Sequence, residues 1–195
     1  SPNELTYIDK VVHMIKTMTP GKFIMELNPE FQKVLLGTVE VDGKQVAVKG
    51  LADMIVELPD KILLVDLKKT SFNLDSWHEN CYKSRYFMQM ALYHDILVQM
   101  YPNKVIECMW LCVNAYDVRI YPTHEADLRF GRTGNKIVYS SCYDHTDEVL
   151  TKEVTNLGYI DAIKIYLQSK ELGLDDYNIE KFQNNGVYPK KSVFE

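Results

Sequence analysis

The chain has 195 residues, 46% apolar and 25% charged, which suits one globular domain with a substantial core. A net charge of −5 gives no sign of a polycationic nucleic-acid binder, yet it leaves room for a carboxylate site whose bound cation restores positive charge locally. No stretch reaches the roughly 18 apolar residues of a membrane span, so no membrane partner is expected.

Taken in chain order, Leu5, Ile8, Val11, Val12 and Ile15 have helical spacing between Glu4 and Thr17, and Thr19-Pro20-Gly21 is expected to stop that helix. Lys33 to Glu57 predicts a hairpin turning at Asp42-Gly43. After the Pro59-Asp60 turn, Lys61 to Lys68 is nearly all apolar in its centre, as in a strand buried on both faces. Leu74 to Met100 predicts a helix closed by Pro102, and Val105 to Tyr121 predicts one or two strands. Pro122 to Thr146 is polar and turn-rich and is expected to be a loop or insertion. Asp147 to Glu171 predicts a long helix, interrupted near Gly158, within a helical extension running to residue 195. The order of helix, three strands, helix, strand and helix predicts one α/β domain over 1–195, with a mixed sheet flanked by helices and a core over about 30–121.

Ser1-Pro2-Asn3-Glu4 lacks the basic and apolar segments of a secretion signal. Cys81, Cys108, Cys112 and Cys142 form no CxxC pair; Cys108 and Cys112 fall on one strand face, where buried free thiols are common. Reduced cysteines and a cytoplasmic location are expected. The histidines His13, His78, His94, His124 and His145 have no metal-ligand spacing. No P-loop and no G-x-S-x-G elbow is present.

The chemistry concentrates in Gly50-Leu51-Ala52-Asp53 and Val65-Asp66-Leu67-Lys68. A charged residue inside an apolar strand is costly unless it is paired or holds a metal. Period-two geometry places Asp66 and Lys68 on one face, and the Pro59-Asp60 turn folds Asp53 back beside them. Two carboxylates can hold Mg²⁺ or Mn²⁺ through hard oxygens, and a nearby ammonium can orient water or stabilise phosphoryl charge. A structural Asp–Lys pair would use the same triplet, so company decides. On the next helix Tyr82, Tyr86, Gln89 and Tyr93 form one stripe at i, i+4, i+7 and i+11. An amide in the middle of an aromatic stripe needs polar partners.

Gly50-x-x-Asp53, a hairpin turn, Asp66-x-Lys68 and then Gln89-x-x-x-Tyr93 resembles the RecB-like branch of the PD-(D/E)XK nucleases, in particular the phage-type recombination exonucleases. The resemblance covers roughly Glu30 to Leu97 and implies the restriction-endonuclease-like αβββαβ core. It implies Asp53, Asp66 and the Leu67 backbone carbonyl as ligands of Mg²⁺, with Mn²⁺ as a substitute. It implies Lys68 as the catalytic lysine, and Gln89 and Tyr93 at the active site or the DNA. A further acidic ligand usual in that branch falls on Glu30, Glu26 or Glu40, with Glu30 preferred for its place at the start of the first strand. The activity implied is hydrolysis of DNA phosphodiester bonds, as a 5′→3′ double-strand exonuclease in recombination or repair. The alternatives are an endonuclease of the same superfamily and a non-cutting DNA-binding module on the same fold. A single-strand-annealing protein and a ring of identical subunits are the partners implied. The aromatic tail residues Tyr177, Phe182, Tyr188 and Phe194 are candidates for subunit contacts.

Overall fold

A computed structural model describes residues 2–141 and 150–171, and side chains over 5–135 and 156–171. Five strands form one sheet in sequential order: β1 (Glu30–Val41), β2 (Lys44–Glu57), β3 (Lys61–Lys69), β4 (Val105–Val113) and β5 (Val118–Pro122). β1–β2, β2–β3 and β4–β5 are antiparallel, while β3–β4 is parallel. The parallel pair requires a crossover, and the helical segment between β3 and β4 supplies it. The expected mixed sheet flanked by helices is therefore the architecture observed. At the first hairpin, Asp42 and Gly43 take φ of 50° and 75°, the left-handed pair that a two-residue turn needs.

Each face of the sheet is buried. Leu35, Ala52, Ile55, Ile62, Leu64 and Trp110 pack on one face beneath α4 (Tyr86–Met100), which contributes Phe87, Met90, Ala91 and Leu97. On the other face Met54, Val56, Leu63, Val65 and Leu111 meet Met14 of α1 (Pro2–Thr17) and Ile24 of α2 (Thr19–Glu26). This two-sided burial explains the nearly unbroken apolar run of β3. On β1, an edge strand, Gln99 of α4 brackets Thr38: its Nε2 donates to the Thr38 carbonyl at 2.8 Å and its Oε1 accepts from the Thr38 N–H at 3.0 Å.

Several local expectations are corrected. Thr19-Pro20-Gly21 does not end the helical region; it starts α2, with Pro20 in the first turn where its missing N–H costs nothing. Gly21 permits the tight corner, since a Cβ there would lie 2.2 Å from the Ile15 carbonyl oxygen. The single helix expected over Leu74–Met100 is a short 3₁₀ turn (Leu74–Ser76), α3 (Trp77–Lys83) and α4, broken where Arg85 takes φ 57°. The stretch expected to be a loop holds α5 (Glu125–Thr133) and β6 (Asn135–Ser141). The Asp127 carboxylate starts α5 by accepting the His124 N–H at 2.9 Å. The long helix expected from Asp147 is β7 (Leu150–Asn156), paired with β6, followed by α6 (Tyr159–Glu171). The extension is thus a hairpin and a helix over its described part. Cys142, His145 and the tail aromatics Tyr177, Phe182, Tyr188 and Phe194 lie outside the described residues.

The other three cysteines are free and buried, and Cys81, Cys108 and Cys112 all join the core beneath α4. Burial raises all three thiols, Cys108 to about 12, so none is a reactive thiolate.

Candidate active site

The β2–β3 ladder pairs Glu57 with Ile62 through to Met54 with Val65, and one further step sets Asp53 opposite Asp66. At that step cross-strand backbone pairing gives way to side-chain contact: Asp53 Oδ2 accepts the Leu67 N–H at 2.9 Å. Asp66 and Lys68 follow Ile62 and Leu64 on the face beneath α4, and Asp53 sits two residues before Ile55 on that same face. The convergence expected from the hairpin is therefore present.

Asp66 is buried in the sheet. The Lys68 ammonium lies 2.5 Å from its Oδ2 but out of line for a hydrogen bond, so that buried oxygen is contacted without being satisfied. Burial pushes the Asp66 carboxyl above the usual carboxylate range; Lys68 opposes this, and the Asp53 charge adds to it. Lys68 is held from a second side by Gln89, whose Oε1 accepts from Nζ at 3.2 Å. Its ammonium also sits 4.7 Å from the centre of the Tyr86 ring.

The Gln89 Nε2 donates to the Tyr93 hydroxyl at 3.4 Å, and that hydroxyl accepts the Leu51 N–H at the same distance. Gly50 makes room for this arrangement: a Cβ there would fall 2.4 Å from the Tyr93 ring. The amide in the aromatic stripe thus finds its polar partners on both sides. Tyr82 departs from the stripe, because the left-handed break at Arg85 resets the helix. Its ring packs instead on Phe87 and Phe130, at centroid distances of 4.4 and 4.9 Å.

Glu30 is exposed at the start of β1, opposite Ile55, and its carboxylate is engaged by Lys33 at 2.5 Å. Glu40 lies beside the β1–β2 turn and accepts from Gln45 at 3.2 Å. Among the described residues, no group of three or more His, Cys, Asp and Glu is placed to hold a metal ion. What sequence reasoning missed is Gln32. It stands opposite Asp53, takes φ 52° inside β1, and donates from Nε2 to Asp53 Oδ1 at 3.3 Å. No periodicity or motif marks it, since glutamine is an unremarkable residue on an exposed strand.

The oxygen set fits a hard divalent cation. Asp53 and Asp66 face each other, and the buried Asp66 Oδ2 lacks an aligned donor. In a strand, the N–H and C=O of one residue point to the same neighbour. Because the Leu67 N–H points to Asp53, its carbonyl is directed into the gap between β2 and β3.

No family model matches this sequence, and no curated protein matches it. A solved structure from Eubacterium rectale, described as a candidate exonuclease, superposes with a TM-score of 0.51 at 15% identity, over 97% of this chain. This chain spans only 57% of that one. A second structure, of the protein SSO0001, aligns over 66% of this chain and 57% of that one, with 16% identity and a TM-score of 0.39, and carries no argument. What the first comparison shows is fold: a mixed five-stranded sheet flanked by helices, of a nuclease-like kind.

Proposed function

We propose that this protein is a Mg²⁺-dependent deoxyribonuclease of the RecB-like PD-(D/E)XK type, hydrolysing DNA phosphodiester bonds at Asp53, Asp66 and Lys68. The observation that carries the reading is the opposed carboxylate pair, with a buried, unsatisfied oxygen on Asp66 and a lysine set against it. Buried charge without a full set of partners is characteristic of sites rather than of scaffolds.

A divalent cation bound between the carboxylates, with Mn²⁺ as a substitute for Mg²⁺, would polarise the phosphoryl oxygen and lower the pKa of water. Asp53 and Asp66 would hold it together with the Leu67 carbonyl. Lys68, gripped between Asp66 and Gln89, donates its remaining protons toward the attacking water or the non-bridging phosphate oxygens. Gln89 positions that ammonium, and Tyr93 holds Gln89 against the β2 backbone. In-line attack by water with departure of the 3′ oxygen leaves a 5′-phosphate. Arg85, exposed and without an ion pair to any described residue, stands one position before Tyr86 and is suited to a phosphate of the strand. Lys83 is less available, being paired with Glu79 at 2.7 Å.

Within this reading we favour an exonuclease acting 5′→3′ on duplex ends, in recombination or repair. The direction, a ring of subunits and a single-strand-annealing partner rest on the motif resemblance. Duplex DNA labelled at either end, incubated with Mg²⁺, tests the reading. Loss of label from 5′ ends, with covalently closed circles left intact, is expected. Cleavage of the circles identifies an endonuclease instead. Wild type cutting no better than Asp66→Ala or Lys68→Ala would falsify the nuclease assignment. The lack of a third acidic group at the site, among the described residues, favours one competing reading: a DNA-binding module that no longer cuts. Tight DNA binding with no heat of Mg²⁺ or Mn²⁺ binding in calorimetry would establish that alternative.

A further inference from the structure

We propose that Gln32 is a positioning residue for Asp53, locking the plane of its carboxylate through a deliberately strained backbone. The proposal rests on the reading of Asp53 and Asp66 as a cation site.

The argument begins with the alternation of β2. Ala52 and Ile55 are three apart, yet both enter the core beneath α4. One step of in-and-out alternation is therefore lost between them. The β1–β2 register does not change across this point: Phe31 pairs with Met54 and Lys33 with Ala52. No residue has been inserted, so the irregularity is not an ordinary bulge. It coincides with Gln32, opposite Asp53, which takes the left-handed φ of 52°. Glycine or asparagine would adopt that conformation more readily, and the chain has neither there. Strain of this kind persists only where surrounding contacts hold it, and it gathers at functional sites.

The side chain supplies the reason. Gln32 Nε2 donates to Asp53 Oδ1 at 3.3 Å while the Leu67 N–H donates to Oδ2 at 2.9 Å. One donor on each oxygen fixes the carboxylate against rotation and leaves its remaining lone pairs available toward Asp66. A carboxylate held in this way binds a cation without first losing rotational freedom. The same contact accounts for a residue that is exposed, strained and polar in an otherwise regular strand.

Gln32→Gly separates the two effects, because glycine relieves the backbone and removes the amide. Full-length wild type and variant would be compared by thermal melting, Mn²⁺ calorimetry and hydrogen exchange at the Leu67 amide. The variant should melt at a higher temperature yet bind Mn²⁺ about 10- to 100-fold more weakly, the usual loss when a ligand's outer partner is removed. Its Leu67 amide should exchange about tenfold faster, as the hydrogen bond to Asp53 loosens, a readout that needs no metal. Gln32→Asn keeps a residue tolerant of the left-handed backbone but shortens the amide by one methylene, and should lose Mn²⁺ affinity likewise. Equal Mn²⁺ affinity in wild type and Gln32→Gly overturns the proposal. Should wild type itself bind no Mn²⁺, the cation-site reading fails, and Leu67 exchange alone decides the role of Gln32: unchanged protection refutes it, lost protection upholds it.

Discussion

Asp66 and Asp95 are two carboxylates on the same side of the sheet, and they are treated in opposite ways. Asp95, on α4, receives Arg132 Nε at 2.8 Å and Nη2 at 2.7 Å, the Tyr159 hydroxyl at 2.6 Å, and a contact with His94 Nδ1 at 2.8 Å. Burial alone would raise its carboxyl, but the bonds with His94, Arg132 and Tyr159 together outweigh burial and hold it well below the usual carboxylate range. Asp66 has one lysine, out of line, and its carboxyl is pushed up. The satisfied acid joins three helices, α4, α5 and α6. The unsatisfied one faces a gap between strands. Burial of charge by itself does not mark a functional site; burial with incomplete partners does.

The largest expected effect lies at the unsatisfied end. Lys68→Ala should lower the rate of DNA hydrolysis by about 10²- to 10³-fold, the usual loss when one group stabilising transition-state charge is removed. Asp66→Asn should lose comparable activity without a fall in melting temperature, because it removes a charge that folding leaves unsatisfied. A large drop in melting temperature for Asp66→Asn would place Asp66 in the same class as Asp95 and erase the contrast. For Asp95→Ala the opposite profile is expected: about 3 kcal/mol of destabilisation from stranding Arg132, read by urea denaturation, with activity per folded molecule retained. Gly50→Ala probes the link between the two kinds of region. Its Cβ would fall 2.4 Å from the Tyr93 ring and displace it, so Gln89 would loosen on Lys68. About 1–3 kcal/mol of overpacking is expected, with a loss of turnover in steady-state assays.

The smallest effect is in acid. Asp95 faces His94 on its own helix, Arg132 on α5, Tyr159 on α6 and Cys108 on β4. Its folded carboxyl lies below its unfolded value of about 4, so the stability it contributes is present above that pH. That stability is lost as pH falls through the acid range toward the folded value. Denaturation midpoints measured below pH 5 should decline less steeply in Asp95→Asn than in wild type; parallel profiles would show that the network does not hold the charge.

Legibility followed from locality. The Asp42-Gly43 turn, the apolar run of Ile62 to Val65 and the same-face pair Asp66 and Lys68 are written in short-range pattern, and the structure has them where that pattern puts them. Gln89 and Tyr93 were legible because an amide in an aromatic stripe demands partners. Tyr82 was not: the break before α4 depends on Arg85 adopting a left-handed backbone, which no arginine signals in sequence. The hairpin β6–β7 and the helix α5 were read as loop and helix, because their polar segments carry turn residues without clear periodicity and gain definition from each other.

The sequence by itself determined the order of the core elements, the two-sided burial of β3 and the convergence of Asp53, Asp66 and Lys68 at one hairpin end. These follow from backbone periodicity and turn chemistry, which act over a few residues. Only the tertiary structure decided which buried acid is satisfied, that Glu30 is engaged by Lys33, and that Gln32 stands behind Asp53. Those outcomes depend on contacts between residues far apart in the chain and on a strained φ held by packing, and neither leaves a local signature.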